Sequence, residues 1–239
     1  MDAVELVPGL YFLRFPVGHV YLWRDPDGLT LVDTGLPGSA GAIAEAVRGL
    51  GCRPEDVRRV VLTHFHEDHV GSAAAVAGWG GAEVCAHRAD APYIRGEAAG
   101  PPPVLEADWE RELHRRVTAG LPAEPPAPVR VDRELADGDV LEFGGGARVV
   151  AVPGHTPGSL ALHLPGPGVL FTGDTVARAP DGRVMRGVFN ADPAGTEASF
   201  RRLAELAPEV VCFGHGEPLV SGSPGGPATA PGWVPPDAG

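Results

Sequence analysis

The sequence has no lysine at all. Its 19 formal cations are all arginines, set against 31 carboxylates, and the net charge is −12. A surface of that sign repels phosphate backbones and anionic headgroups, which argues against nucleic acid and membrane surfaces as partners. Bound divalent cations would reverse the sign locally, so this exclusion concerns the general surface and not a site. Cysteine is scarce: Cys52, Cys85 and Cys212 stand apart, without a CxxC spacing. They offer no disulfide framework and read as buried free thiols of a reducing, cytoplasmic compartment. The start, Met1 to Glu5, has neither the basic end nor the apolar run of a secretory signal, and no apolar run is long enough to span a bilayer. Aromatic residues make up only 6% of the chain, so a core must be filled mainly by Val, Leu and Ala.

What is present suits a mixed α/β domain. With 239 residues, 44% hydrophobic and 21% charged, the chain can bury a sizeable core. Strands are expected at about 10–15, 19–24 and 28–33, separated by Pro8-Gly9, Pro16 and Asp25-Pro26-Asp27-Gly28. A helix over roughly 39–50, a strand at 57–62, a helix over about 68–78 and a strand at 82–86 follow. From about 88 to 130 the character changes, with Pro101-Pro102-Pro103 and a Pro-rich run at 122–128 flanking a helical stretch near 105–119. This insert reads as a cap over a site. Strands return at about 139–143, 147–152, 159–164 and 168–172, then a helix near 195–206 and a strand at 209–213. Strands followed by helices occur once in each half, which predicts two sheets back to back with helices outside. Residues 1–220 are expected to form one domain, and the Gly, Pro, Ser and Ala-rich residues 221–239 a disordered tail.

The chemistry concentrates in Thr63-His64-Phe65-His66-Glu67-Asp68-His69. In an extended chain alternate side chains share a face, so His64 and His66 point one way and Phe65 into the core. A helix starting near Asp68 would project Asp68 and His69 from its first turn towards the same cavity. Three more candidates sit where strands end, each beside glycine: His155 in Pro153-Gly154-His155-Thr156-Pro157-Gly158, Asp174 after Gly173, and His215 between Gly214 and Gly216. Glycine there lets the backbone approach a compact centre closely. His64, His66, Asp68, His69, His155, Asp174 and His215 exceed the roughly three protein ligands of one catalytic zinc. The surplus points to two cations about 3.5–4 Å apart with a carboxylate between them.

These motifs, together with Leu31-Val32-Asp33-Thr34-Gly35 and in this order, cover about residues 4–220, and the chain resembles the metallo-β-lactamase superfamily. The resemblance implies a four-layer αββα sandwich with the metals at one edge. It implies that His64, His66 and His155 hold one cation, that Asp68, His69 and His215 hold the other, and that Asp174 bridges them. Asp33 would orient the loop or a ligand imidazole. Two divalent cations, zinc first and iron or manganese after it, would lower the pKa of a bridging water so that hydroxide attacks an ester-type carbonyl, with Asp68 orienting it and relaying its proton.

Departures from individual branches narrow the substrate. Asp174 stands where true metallo-β-lactamases usually carry Cys or Ser, and Ala177 where quorum-quenching lactonases usually place a Tyr. The glutathione-binding helical domain of glyoxalase II would have only residues 221–239 to occupy. A small-molecule ester, lactone or thioester hydrolase is the reading that survives. Two rivals stay open: a mononuclear iron sulfur-oxygenase of the persulfide dioxygenase kind, and a metal-binding protein without turnover. His19, Tyr93 and Trp109 are candidates to contact substrate, while His114, among Arg111, Glu112, Arg115 and Arg116, is expected on a solvated helix face. Arg178, Arg183 and Arg186 are expected in an exposed loop.

Overall fold

A computed structural model describes residues 2–122 and 124–222. A first sheet runs in sequence order through β1 (Ala3–Val7), β2 (Leu10–Leu13), β3 (Val20–Asp25), β4 (Gly28–Val32), β5 (Val57–Leu62), β6 (Glu83–His87) and β7 (Arg133–Leu135). Its first four strands form an antiparallel meander, whereas β4 to β7 are parallel. The crossovers carry α1 (Ala40–Gly49), α2 (Glu67–Val70), α3 (Ala73–Ala77), α4 (Ala91–Ile94) and α5 (Asp108–Gly120). The second half supplies β8 (Val140–Leu141), β9 (Ala147–Ala151), β10 (Leu160–Leu164), β11 (Val169–Phe171), β12 (Val176–Arg178), β13 (Val184–Arg186), α6 (Pro193–Ala204), β14 (Val210–Cys212) and β15 (Leu219–Val220). The second sheet has the order β15-β14-β11-β10-β9-β8, with β11 and β14 parallel, and β12 and β13 make a separate hairpin.

The period of two along each strand divides the apolar residues among three cores. On β5, Val61 faces the second sheet while Val60 and Leu62 face α1 and α3; on β14, Val210 and Cys212 face the first sheet while Val211 faces α6. Strands buried on both faces read as continuous apolar runs because helices cover their outer sides. The outcome is four layers, helix, sheet, sheet, helix, in agreement with the expected αββα sandwich.

Several local expectations need correction. The helix expected over 68–78 is two pieces, α2 and α3, separated at Gly71-Ser72. A side chain at Gly71 would put its Cβ 2.3 Å from the Leu36 carbonyl carbon and the Pro37 nitrogen, so the close passage of these two loops requires glycine here. Phe65 packs against the first core as expected but only from its edge: it is half-buried, because the chain leaves the extended conformation after Leu62 and strict alternation ends there. Of the arginines expected in an exposed loop, Arg183 lies in the exposed β12–β13 turn as expected, whereas Arg178 and Arg186 lie on the hairpin's strands, where Arg186 donates to the Pro193 carbonyl at 2.9 Å. Cys85 and Cys212 are buried free thiols as expected, but Cys52 is only partly buried. Strand β1 was missed, its outer residues being largely exposed. Among the described residues no helix is long and apolar enough to cross a membrane. The expected tail lies, from residue 223 onward, outside the described residues.

Phe171, 1% exposed between the two sheets, tests this layering. Phe171→Ala is expected to destabilise the fold by about 3–5 kcal/mol in denaturant unfolding; a loss below about 1 kcal/mol would mean that the sheets do not pack through this residue.

Candidate metal centre

Every candidate ligand lies just beyond the C-terminal end of a strand. The His64–His69 run follows β5, His155 follows β9, Asp174 follows β11 and His215 follows β14. Open α/β sheets bind ligands at this edge, where side chains from separate strands converge. Here they converge into three overlapping groups: His64, His66 and His155; His64, His69 and Asp174; and Asp68, His69 and His215. Within each, the potential ligand atoms lie within 4.8 Å of one another.

The outer nitrogen of each buried imidazole has a partner that sets the ring. Asp33 Oδ2 accepts from His69 Nδ1 and from Thr63 Oγ1, both at 2.8 Å, and Asp33 Oδ1 accepts from the Thr63 amide at 2.8 Å. Since the Thr63 hydroxyl gives its only hydrogen to Asp33, it accepts from His64 Nδ1 at 3.0 Å. Asn190 Nδ2 donates to the Gly187 carbonyl, which turns Asn190 Oδ1 towards His155 Nδ1 at 3.3 Å. With each Nδ1 used as a donor, the Nε2 atoms of His64, His69 and His155 are the ones left to face inward. His66 differs, presenting Nδ1 at 2.9 Å from His155 Nε2.

Inward of those rings the polar atoms lack hydrogen-bond partners. His64 Nε2, His69 Nε2 and Asp174 Oδ1 are buried and unpaired; the last two approach to 3.3 Å without an aligned hydrogen bond. Buried polar atoms are almost always satisfied, and three orphans pointing at one region fit a cation bound there. Asp174 reaches both sides: its Oδ2 lies 3.0 Å from His215 Nε2 and 3.7 Å from His155 Nε2. Asp68 Oδ2 lies 3.2 Å from His215 Nε2 and 3.7 Å from His69 Nε2. Gly214 is packed into this cluster, where a Cβ would stand 2.0 Å from Asp174 Oδ1.

The two sides differ electrostatically in the metal-free protein. Burial depresses His64 well below the ordinary imidazole range and brings His66 to about 3, and burial also lowers His155; positive neighbours add to the effect on each. Burial likewise pulls on His69 and His215, but Asp174 and Asp68 outweigh it, raising His69 well above its usual value and His215 to about 10. The same pairing outweighs burial at the carboxylates, taking Asp68 to about 2 and Asp174 well below the usual range. The His64 side therefore offers lone pairs, while the His69 and His215 side carries protons that a cation has to displace.

The remaining candidates are placed differently. His19 is nearly buried, its Nδ1 accepting from the Phe15 amide at 3.4 Å, with its ring edge-on to Phe12. Tyr93 packs on Phe65 at 4.9 Å and lines a secondary cavity of about 450 Å³ behind it. Trp109 is 55% exposed and lines neither cavity. His114 corrects its expectation: it faces the main cavity, with its ring 5.1 Å from Phe189. Two buried residues were missed. One is Asn190; the other is Asp90, which accepts from the Phe65 amide (3.1 Å), the Thr156 hydroxyl (2.6 Å) and the Gly158 amide (2.6 Å), tying the first histidine loop to the loop of His155. Burial raises the Asp90 carboxyl to about 6 against these hydrogen bonds.

Comparison with known proteins agrees with this geometry. The family model described as the metallo-beta-lactamase superfamily matches residues 13–215, and the chain belongs to that superfamily. A hydroxyacylglutathione hydrolase of Rhodobacter capsulatus is 32% identical over 82% of this chain, which spans 61% of that relative's length. A probable metallo-hydrolase of Bacillus subtilis (strain 168) is 27% identical, covering 90% of this chain and 86% of its own. Among solved structures, a metallo-beta-lactamase family protein of Thermus thermophilus superposes with a TM-score of 0.67 at 28% identity, over 91% of this chain and 76% of that one.

Two outcomes are expected. Raised imidazole pKa values stabilise the metal-free fold fully below the ordinary value of 6.5, and that stabilisation is lost as pH rises through about 10 for His215. The thermal unfolding temperature of metal-free protein should therefore fall as pH rises across this window, and metal loading at neutral pH should release protons in calorimetry run in buffers of different ionisation enthalpy. Loading without proton release would contradict the assignment. Asp33→Ala should lower metal affinity by about 10–100-fold, because His69 and Thr63 lose their common acceptor; competition with a chelator measures it, and unchanged affinity would count against that role.

Proposed function

We propose that the chain is a dinuclear metal-dependent hydrolase of a small-molecule ester, lactone or thioester. The observation that carries this reading is Asp174: one oxygen lies towards His69 and the other towards His215 and His155, at the meeting of two ligand groups containing unpaired buried nitrogens. His64, His66 and His155 would hold one cation, Asp68, His69 and His215 the other, and Asp174 would bridge. Zinc suits this His and Asp set, with iron and manganese as alternatives. Bound there, the cations would supply an acidified water and polarise a carbonyl.

The chain's own residues would do the rest. Asp33 and Thr63 keep His64 and His69 in one tautomer, and Asn190 does so for His155. Asp68, at the floor of the cavity, accepts a hydrogen bond from the attacking water and passes its proton to the leaving group. Water's oxygen bonds to the carbonyl carbon, and the bond from that carbon to the leaving oxygen or sulfur breaks. The 88–130 segment serves as a cap: α5 contributes Leu113, His114 and Val117 to the cavity wall opposite the ligands. A cytoplasmic small-molecule substrate fits the acidic surface and the free thiols. The hydroxyacylglutathione hydrolase likeness keeps thioesters within the substrate range.

Elemental analysis of purified protein, with each preparation assayed against esters, lactones and thioesters, tests this reading. Two divalent cations per chain and turnover that follows their occupancy are expected. One iron per chain with sulfide-dependent oxygen uptake would replace it with the oxygenase. Asp174→Ala should reduce the metal content and lower turnover by more than about 100-fold, since even an outer partner of a ligand is worth 10–100-fold. Unchanged stoichiometry in that variant would remove the bridging role.

A further inference from the structure

We propose that the group this site accepts is an apolar acyl chain, seated in the cavity between α5 and the ligand cluster, and not a zwitterionic carrier such as a glutathione thioester. The inference rests on the hydrolase reading for its chemistry and on the cavity for its selectivity.

The cavity has a volume of about 690 Å³, within the range that encloses a small ligand. One end is the ligand cluster itself, with His66, Asp68, His155, Asp174 and His215 in its lining. The other end is apolar. Leu113, Val117 and Leu121 recur every four residues along α5 and its C-terminus and so share one face of that helix, and Leu36, Val188 and Phe189 add to the same lining. Val117 is 37% exposed, an apolar side chain on the cavity wall left open to solvent and not packed into the core.

Phe189 adds a second, independent observation. Its φ is +61°, a left-handed conformation that a bulky residue rarely adopts, and its ring lines the cavity in edge-on contact with His114. The flanking residues have their own tasks: the Gly187 amide donates to the Thr175 carbonyl, and Asn190 orients His155. Glycine would take this φ without strain, so the aromatic ring is what the position supplies.

Charge excludes the alternative. Among the described residues, Arg116 is the only arginine lining the cavity, and Glu112 faces it at 3.8 Å. A glutathione moiety brings two carboxylates and an ammonium, three charges to be desolvated against a wall where the one arginine already faces a glutamate.

The test uses metal-loaded protein and p-nitrophenyl esters from acetyl to dodecanoyl, beside a hydroxyacylglutathione thioester. A parallel calorimetric titration uses the alkanoates from acetate to decanoate. The expected result is a kcat/KM that rises about fourfold per added methylene until the cavity is full, with alkanoate affinity rising in step and the glutathione thioester among the poorest substrates. Phe189→Gly should keep its metal content and a cooperative melt, the relief of its positive φ working against the lost ring contact, yet flatten the length dependence through KM. Val117→Glu, at a partly exposed helical position, should do the same by placing a carboxylate on the wall. Turnover that is flat in chain length, or best with the thioester, overturns the acyl-chain assignment and leaves the hydrolase reading intact. Alkanoates binding more tightly with length, but with no ester cleaved, would uphold the cavity assignment and overturn the hydrolase. Neither binding nor cleavage would overturn both.

Discussion

The centre depends on one buried carboxylate. Asp33 sits at the end of β4 with a φ of +63°, an unusual backbone state for a side chain other than glycine, although Asp tolerates it better than most. In that conformation it accepts three hydrogen bonds, two from Thr63 and one from His69. Through Thr63 it also sets His64. Two parallel neighbouring strands, β4 and β5, are thus locked together at the point where the ligand loop begins. A local strain on the order of 1–3 kcal/mol is offset by three hydrogen bonds to a charged acceptor, each of about 1.5–3 kcal/mol. The same loop is held from the other side by Asp90, whose carboxylate spans to the Thr156–Gly158 turn beside His155. Two acidic residues, neither among the seven candidate ligands, fix the positions of three of them.

This arrangement also explains how the metal-free chain keeps so much polarity out of water. Seven imidazoles and carboxylates in one buried patch would repel or desolvate one another to ruinous effect if each kept its ordinary charge. Instead the patch divides. His64, His66 and His155 stay neutral, while His69 and His215 carry protons against Asp68 and Asp174. The metal-free centre is internally compensated, and a cation entering the second half exchanges for protons already there.

Much of this was legible in the sequence, and what was not has a physical reason. The His64–His69 run could be read because five chemistry-bearing side chains lie within six positions. The strands β5, β10 and β14 could be read because apolar runs buried on both faces leave an unbroken signal. Asp90 and Asn190 could not. Their partners lie 66, 68 and 35 residues away in the chain, and an isolated Asp or Asn in a loop has no local pattern. His114 was misjudged, and the partial exposure of Phe65 unforeseen, for one shared reason: whether a half-buried side chain faces core, solvent or cavity depends on where the 88–130 segment folds, which periodicity does not encode. The β12–β13 hairpin is a different kind of miss. Pro180-Asp181-Gly182 between Val176 and Val184 is a turn signal with a mechanism, Pro fixing φ and Gly182 taking a φ of +88°, and it was there to be used.

Chemistry and selectivity are carried by different parts of the chain. The candidate ligands come from loops at strand ends, braced by buried hydrogen bonds to groups that cannot move without breaking the sheet edge. The apolar wall comes largely from α5 and the Val188–Phe189 turn, which touch the rest through few such bonds; Val104 donating to the Asn190 carbonyl at 2.8 Å is one of them. Loops and inserted helices tolerate change far better than strand ends that must converge to within a few tenths of an ångström. A fold divided in this way can exchange the wall while keeping the centre, so the family fixes the reaction class more firmly than the substrate. On the reading proposed for this chain, the substrate has to be sought in the side chains of α5 and Phe189, because the candidate ligand set would be the same whichever small molecule entered.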